Sequence, residues 1–223
     1  ELAIIFRHGA KRMLEDNIDE FYYITVMNEN YPQPATIEGI EEDVIRGMYK
    51  LASVGDKKNE LHVQLLGSGT ILREVEAAAD LLNNDFGVSS EIWSVTSFNE
   101  LARDGHEVER QKRLNPGADL MCHVENSMKG QVGPVIAASD YVKQYADQIR
   151  GFIRAPYHVL GTDGYGRSDS RISLRKFFEV DRTHIALATL QALYELDHIP
   201  AKTIESALAK YNIDRAKPNP MSV

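Results

Sequence analysis

Two stretches of the chain carry residue types able to hold an anion. Gly67-Ser68-Gly69-Thr70 lies between an apolar run and a helical stripe, and where a helix begins, free backbone N–H groups and the helix dipole favour a phosphate. The dinucleotide fingerprint would need a third glycine where Leu72 stands and an acidic residue where Thr96 ends the next strand. The plainer reading is a tight turn permitted by the glycines, with Ser68 or Thr70 capping the helix. The second stretch, Gly161-Thr162-Asp163-Gly164-Tyr165-Gly166-Arg167-Ser168-Asp169-Ser170-Arg171, puts three glycines and four charges between a strand and a helix. Loops at that position are where α/β proteins bind ligands. Arg167 and Arg171 have the donors to pair a phosphate, a carboxylate or the acids of a partner chain. The plainer reading has Ser168 or Ser170 capping a helix while the arginines pair with Asp163 and Asp169.

Other chemistries lack a residue. A nucleophile elbow needs glycine where Ser170 stands, and a calcium loop needs acids within Gly164 to Ser168. His106 opens His-Glu-Val-Glu-Arg, which lacks the second histidine of a zinc-protease helix. Cys122-His123 is a lone adjacent pair, read as structural. The charged run Arg103 to Arg113 reads as a solvated helix face, with an electrostatic docking surface as the alternative. The residues alone assemble no catalytic constellation and no metal site.

The elements that position the two motifs alternate in type. His62–Leu66 reads as a strand, the Gly67–Thr70 turn follows, and Ile71, Leu72, Val75, Ala78, Ala79 and Leu82 form a helix's apolar stripe up to Gly87. Further strands are expected at Ile92–Val95, Pro134–Ala138 and Tyr157–Leu160, with helices at about 100–113, 141–151, 171–178, 182–196 and 201–210. That layout predicts an α/β fold: a mostly parallel sheet with helices on both faces. Upstream, Leu2–Phe6 and Phe21–Met27 read as strands around a helical stretch at Lys11–Glu20, and Ile37–Leu51 reads as a helix stopped by Gly55 and Asp56-Lys57-Lys58-Asn59. Asn28 to Thr36 holds two prolines and three amide side chains and reads as a linker.

The 223 residues suit one sizeable core plus a remainder. A net charge of −8 argues against coating nucleic acid or an anionic membrane. The single cysteine excludes an internal disulfide and fits a reducing, cytoplasmic compartment. No run approaches the ~18 apolar residues of a membrane span, and no signal peptide is visible. The chain opens directly on an apolar run, as if it began inside a larger protein.

Several runs resemble the C-terminal part of homodimeric bacterial pyruvate dehydrogenase E1 components. They are Phe21-Tyr22-Tyr23-Ile24-Thr25-Val26-Met27-Asn28-Glu29-Asn30-Tyr31, Val63 to Arg73, Ser94 to Gly105 with its Phe98-Asn99-Glu100-Leu101-Ala102-Arg103-Asp104-Gly105, Val159 to Arg171, and Tyr211-Asn212-Ile213-Asp214 with Asn219-Pro220. More loosely, the strand-GSG-helix turn and the Gly161–Ser168 loop resemble the C-terminal domain of transketolase-type thiamine enzymes. The resemblance implies that residues 1–30 end a pyrimidine-binding domain, 31–38 are a linker and 39–223 form a transketolase-like C-terminal domain. It implies a parent enzyme in which the thiazolium ylid of thiamine diphosphate, held with Mg2+, attacks pyruvate, carbon dioxide leaves, and the acetyl group passes reductively to a lipoyl arm. The implied partners are a second E1 subunit in a homodimer and dihydrolipoyl acetyltransferase (E2), with no nucleic acid and no membrane.

The family's Gly-Asp-Gly segment with its downstream Asn is absent from these residues, and neither Glu29 nor His8 matches a catalytic position. No catalytic or cofactor residue is carried over, and no thiamine diphosphate or magnesium is expected on this chain alone. Its work is then dimerisation and architecture, with Gly67, Ser68, Gly69, Thr70, Asp163, Arg167, Ser168, Asp169 and Arg171 as candidate interface or anion-site residues. The alternatives are a stand-alone phosphate- or nucleotide-binding α/β module, or a fragment of a transketolase or another 2-oxo-acid E1.

Overall fold

A computed structural model describes every residue except Glu29, Thr36 and Lys57. These three fall in the stretches read above as family motif, linker and turn, and so lie outside the described residues. Among the described residues five strands form one sheet: β1 (Met48–Val54), β2 (His62–Ser68), β3 (Ser89–Val95), β4 (Val135–Ala138) and β5 (Tyr157–Leu160), in the order β1-β3-β2-β4-β5. All neighbours are parallel except β1 and β3. Alternating side chains feed two cores. Val63, Leu65, Ile92 and Ile136 pack beneath α3 (Leu72–Phe86), α8 (Arg182–Glu195) and α9 (Ala201–Lys210). Leu66, Trp93, Val95 and Ala137 pack beneath α4 (Phe98–Leu114), α5 (His123–Ser127) and α6 (Lys143–Asp147). Helices thus cover both faces, as parallel strands require.

The expected strands at 62–66, 92–95, 134–138 and 157–160 all lie in this sheet. The upstream expectations fail. Leu2–Phe6 is the start of α1 (Leu2–Leu14), not a strand. Ile4, Ile5, His8, Gly9 and Arg12 turn inward, a spacing of four that a short apolar run does not reveal. The helix expected through Glu20 stops at Leu14, and Asn17 adopts a left-handed φ of 54°. Phe21–Met27 takes no regular secondary structure and joins no strand ladder among the described residues. The helix expected over 37–51 shrinks to α2 (Glu41–Arg46). Gly47 caps it at φ 111°, and Met48–Leu51 turn into β1, pairing with β3. Left-handed backbone at a helix end favours glycine. The expected 141–151 helix divides into α6 and a 3-10 turn at Arg150–Phe152.

Asp181 starts α8. Its carboxylate accepts from the Thr183 and His184 N–H groups, both at 3.0 Å, and lies 2.9 Å from His184 Nδ1. Burial pushes this carboxyl up, but the His184 and Thr183 hydrogen bonds outweigh it and hold it at about 2. A carboxylate lowered on folding adds stability above its unfolded value of about 3.9 and loses it as pH falls through the folded one. Asp181→Ala should cost about 1–2 kcal/mol at neutral pH. It should also flatten the fall in stability between about pH 4 and pH 2. A denaturant series across pH checks this, and an acid limb unchanged by the substitution contradicts it.

Candidate functional site

The outgoing connections of β2 and β4 leave in opposite directions, to β3 through α3 and to β5 through α6. Their C-terminal ends therefore flank a topological switch point, where open α/β sheets leave a crevice. The Gly67–Thr70 turn lies on one side. Gly67 is required by contact: a Cβ there would lie 2.7 Å from Leu72 Cα. Gly69 is required by conformation, at φ 56°, before a 3-10 turn over Gly69–Ile71 that leads into α3. Neither Ser68 nor Thr70 forms the expected cap, because Ser68 is extended and without a side-chain cap bond, and Ile71 holds the N-cap position of α3.

Asp140, which the sequence reading passed over, lies in the crevice at the end of β4. A Cβ on Gly69 would come within 3.8 Å of Asp140 Oδ1, and burial pushes this carboxyl up against the pull of its own N–H and of Arg175. The 161–171 loop closes the other side. Thr162 Oγ1 donates to the Asp140 carbonyl at 2.7 Å, and its N–H donates to the Tyr141 carbonyl at 2.9 Å. The structure thus brings the Gly67–Thr70 turn and the start of the 161–171 loop to the same residue.

The charges of that loop differ from the plainer expectation. Asp163 accepts from the Lys143 N–H at 2.8 Å, with Lys143 Nζ at 3.9 Å. Arg167 lies over the Phe177 ring, 4.5 Å from its centroid, and Arg171 donates to the Asn28 side chain. Asp169 accepts from the Ser170 N–H at 2.6 Å. Of the two serines proposed as caps, Ser170 serves α7 (Arg171–Phe177), accepting from the Ser173 N–H, while Ser168 is exposed. Tyr165 and Ile172 are each 81% exposed. A cavity of about 230 Å³ lies behind the loop, lined by Lys143, Asp163, Glu179, Lys217 and Pro220 among others.

Glu74 joins the helices that follow the two motifs. This buried residue of α3 accepts from Arg175 of α7 at 3.1 Å and from Arg182 of α8 through its N–H and guanidinium at 2.9–3.1 Å. Burial pushes the Glu74 carboxyl up, and the Arg182 and Arg175 contacts outweigh it, leaving it below the usual carboxylate range.

Elsewhere, His62 Nδ1 is 2.7 Å from Ser89 Oγ, and His62 Nε2 is 3.9 Å from Glu91. This arrangement of hydroxyl, imidazole and carboxylate is sealed, with Ser89 at 0% and Glu91 at 1% exposure, so it has no surface to offer a substrate. Cys122 is buried and its thiol pushed up by burial, which removes thiolate character. His123 Nε2 is bonded to the Met48 carbonyl at 2.8 Å. Among the described residues no three His, Cys, Asp or Glu side chains converge as a metal site. Among the described residues no helix is long and apolar enough to cross a membrane.

Residues 47–181 match the model of the transketolase-like TK C-terminal domain, and residues 1–34 match that of the pyruvate dehydrogenase E1 component middle domain. The pyruvate dehydrogenase E1 component of Pseudomonas aeruginosa is 57% identical over 99% of this chain. That of Escherichia coli K12 is 46% identical over 99%. In both cases the chain spans 25% of the relative's length. A crystal structure of transketolase from Pichia stipitis matches 76% of this chain and 21% of its own, at 14% identity and a TM-score of 0.50, a likeness of fold alone. With its α/β sheet, its glycine turn and more than half its length matched, this chain belongs to the transketolase-like C-terminal domain family, in the form carried by pyruvate dehydrogenase E1 components.

Proposed function

We propose that this chain is the C-terminal quarter of a cytoplasmic pyruvate dehydrogenase E1, and that it serves dimerisation and architecture. The observation that carries the reading is the 57% identity over 99% of the chain, confined to a quarter of the relative's length. In this reading residues 1–30 complete a pyrimidine-binding domain, 31–38 link, and 39–223 form the C-terminal domain. The composition of Phe21–Met27 supports the division. This segment carries strand-forming residues and leaves Phe21 88% and Tyr23 87% exposed, as expected of a segment whose packing neighbours belong to the rest of that domain.

The whole enzyme decarboxylates pyruvate and passes the acetyl group to the lipoyl arm of E2. Thiamine diphosphate, held with Mg2+ by the other three quarters, supplies the electron sink for that chemistry. The residues of this chain act by holding shape. Glu74 fixes α3 to α7 and α8, Thr162 ties the 161–171 loop to the crevice, and Tyr165 of the loop and Ile172 of α7 face outward toward a second subunit, flanked by Arg167 on Phe177 and Arg171 on Asn28.

Converting Arg167 and Arg171 to alanine in the full-length enzyme should weaken the dimer about tenfold or more, the usual scale for truncating interface arginines. Turnover should fall with it. Sedimentation equilibrium and a steady-state assay check this, and unchanged sedimentation with unchanged turnover contradicts it. A phosphate- or nucleotide-binding module is less well supported, because the glycines are accounted for by packing and backbone conformation and Arg167 by Phe177.

A further inference from the structure

We propose that residues 214–223 form a clasp that sets the conformation of the 161–171 loop, with Phe177 as the shared anchor. The Phe177 ring meets a cation from each segment. Arg167 of the loop lies 4.5 Å and Lys217 of the C-terminal segment 5.4 Å from its centroid. Lys217 Nζ also donates to the Phe177 carbonyl at 2.6 Å and to Glu179 at 2.8 Å. A charged donor on carbonyls at a helix end is among the stronger single contacts available there.

The second contact is backbone on backbone. Gly164 holds a φ of 104°, and a Cβ on it would come within 2.7 Å of the Pro220 carbonyl oxygen. Pro220 is buried, and Asn219 shapes the turn around it by accepting from the Met221 N–H at 2.9 Å. The core does little to hold this region, since no residue of α7 is fully buried. Arg175 grips Glu74 on one side, and the C-terminal segment supplies the grip on the other. At its far end the loop reaches Asn28 through Arg171. The clasp therefore reaches, through the loop, the part of the chain matched to the middle domain. The inference concerns contacts within this chain and stands whether or not the loop faces a second subunit.

Amide hydrogen exchange on the full chain tests it, with β2 and β3 as the internal reference. Lys217→Met, and separately a chain ending at Ala216, should raise exchange at the hydrogen-bonded amides that anchor the loop, Thr162, Leu174 and Phe178, about tenfold or more while β2 and β3 stay unchanged, as local opening requires. Coupling free energy is reciprocal, so Arg167→Met should raise exchange at 217–222. If the shortened chain does not fold, Lys217→Met and Arg167→Met decide. Unchanged loop exchange, or loop exchange rising only in step with β2 and β3, overturns the proposal.

Discussion

Glu74→Ala is expected to destabilise the fold by about 2–4 kcal/mol. Removing one partner of a buried ion pair costs about 3–5 kcal/mol when the remaining charge is stranded without water. The Arg175 side chain is 16% exposed and that of Arg182 50%, so Arg182 recovers part of its hydration and the lower range applies. Glu74→Gln should cost less, because the amide oxygen still accepts from the Arg182 N–H. The linkage has a definite sign. The folded carboxyl is lowered despite burial because Arg182 and Arg175 outweigh it, so its contribution is complete above the ordinary carboxylate range and is lost as pH falls through the folded value. Urea unfolding of the substituted and unsubstituted chains at neutral pH measures the difference. A loss below about 1 kcal/mol would place Glu74 with ordinary surface pairs and remove it as the joint between α3, α7 and α8.

Gly133→Ala should be at least as costly, about 4 kcal/mol, the range reached only when a named steric or backbone fault is introduced. A Cβ there would lie 1.7 Å from the His62 carbonyl oxygen. Its φ of 82° also lies in the left-handed region disfavoured by side chains. The obstacle is backbone at the start of β2, and Gly133 immediately precedes the Pro134–Ala138 run, so relief would require β2 and β4 to part. Gly105 offers an instructive contrast. A Cβ there would come within 2.2 Å of the Phe152 ring, but a ring at the surface of a core can swing aside. Gly105→Ala should therefore cost less than Gly133→Ala under the same denaturant protocol, and the reverse order would contradict the packing argument.

The legible part of the fold was the part whose signals are local. The strands 62–66, 92–95, 134–138 and 157–160 are short apolar runs bounded by turn residues, and the helix after Gly67–Thr70 has a clean apolar stripe. Met48–Leu51 misled because its apolar residues continue the helical spacing of α2. Only the left-handed turn at Gly47, together with pairing to a strand some forty residues later, makes them a strand. Leu2–Phe6 misled for the complementary reason, being too short to distinguish a strand from the first turns of a helix.

Both candidate motifs were visible as glycine-rich breaks, yet their partners were not. Glu74 meets Arg182 across 108 positions, and Arg167 meets Phe177 through a ring that no charge count would select. Asp140 carried the one usable signal, an acidic residue two positions past the end of a strand, and its meaning depended on knowing that β2 and β4 are neighbours.

In the function proposed above, this chain is the structural quarter of a thiamine enzyme and does not itself hold the cofactor. Calorimetric titration of the 223-residue chain with thiamine diphosphate and magnesium tests it most directly. The account predicts no saturable heat from the chain alone. Binding at micromolar concentration with a stoichiometry near one would contradict it, since a complete cofactor site would then lie within these residues.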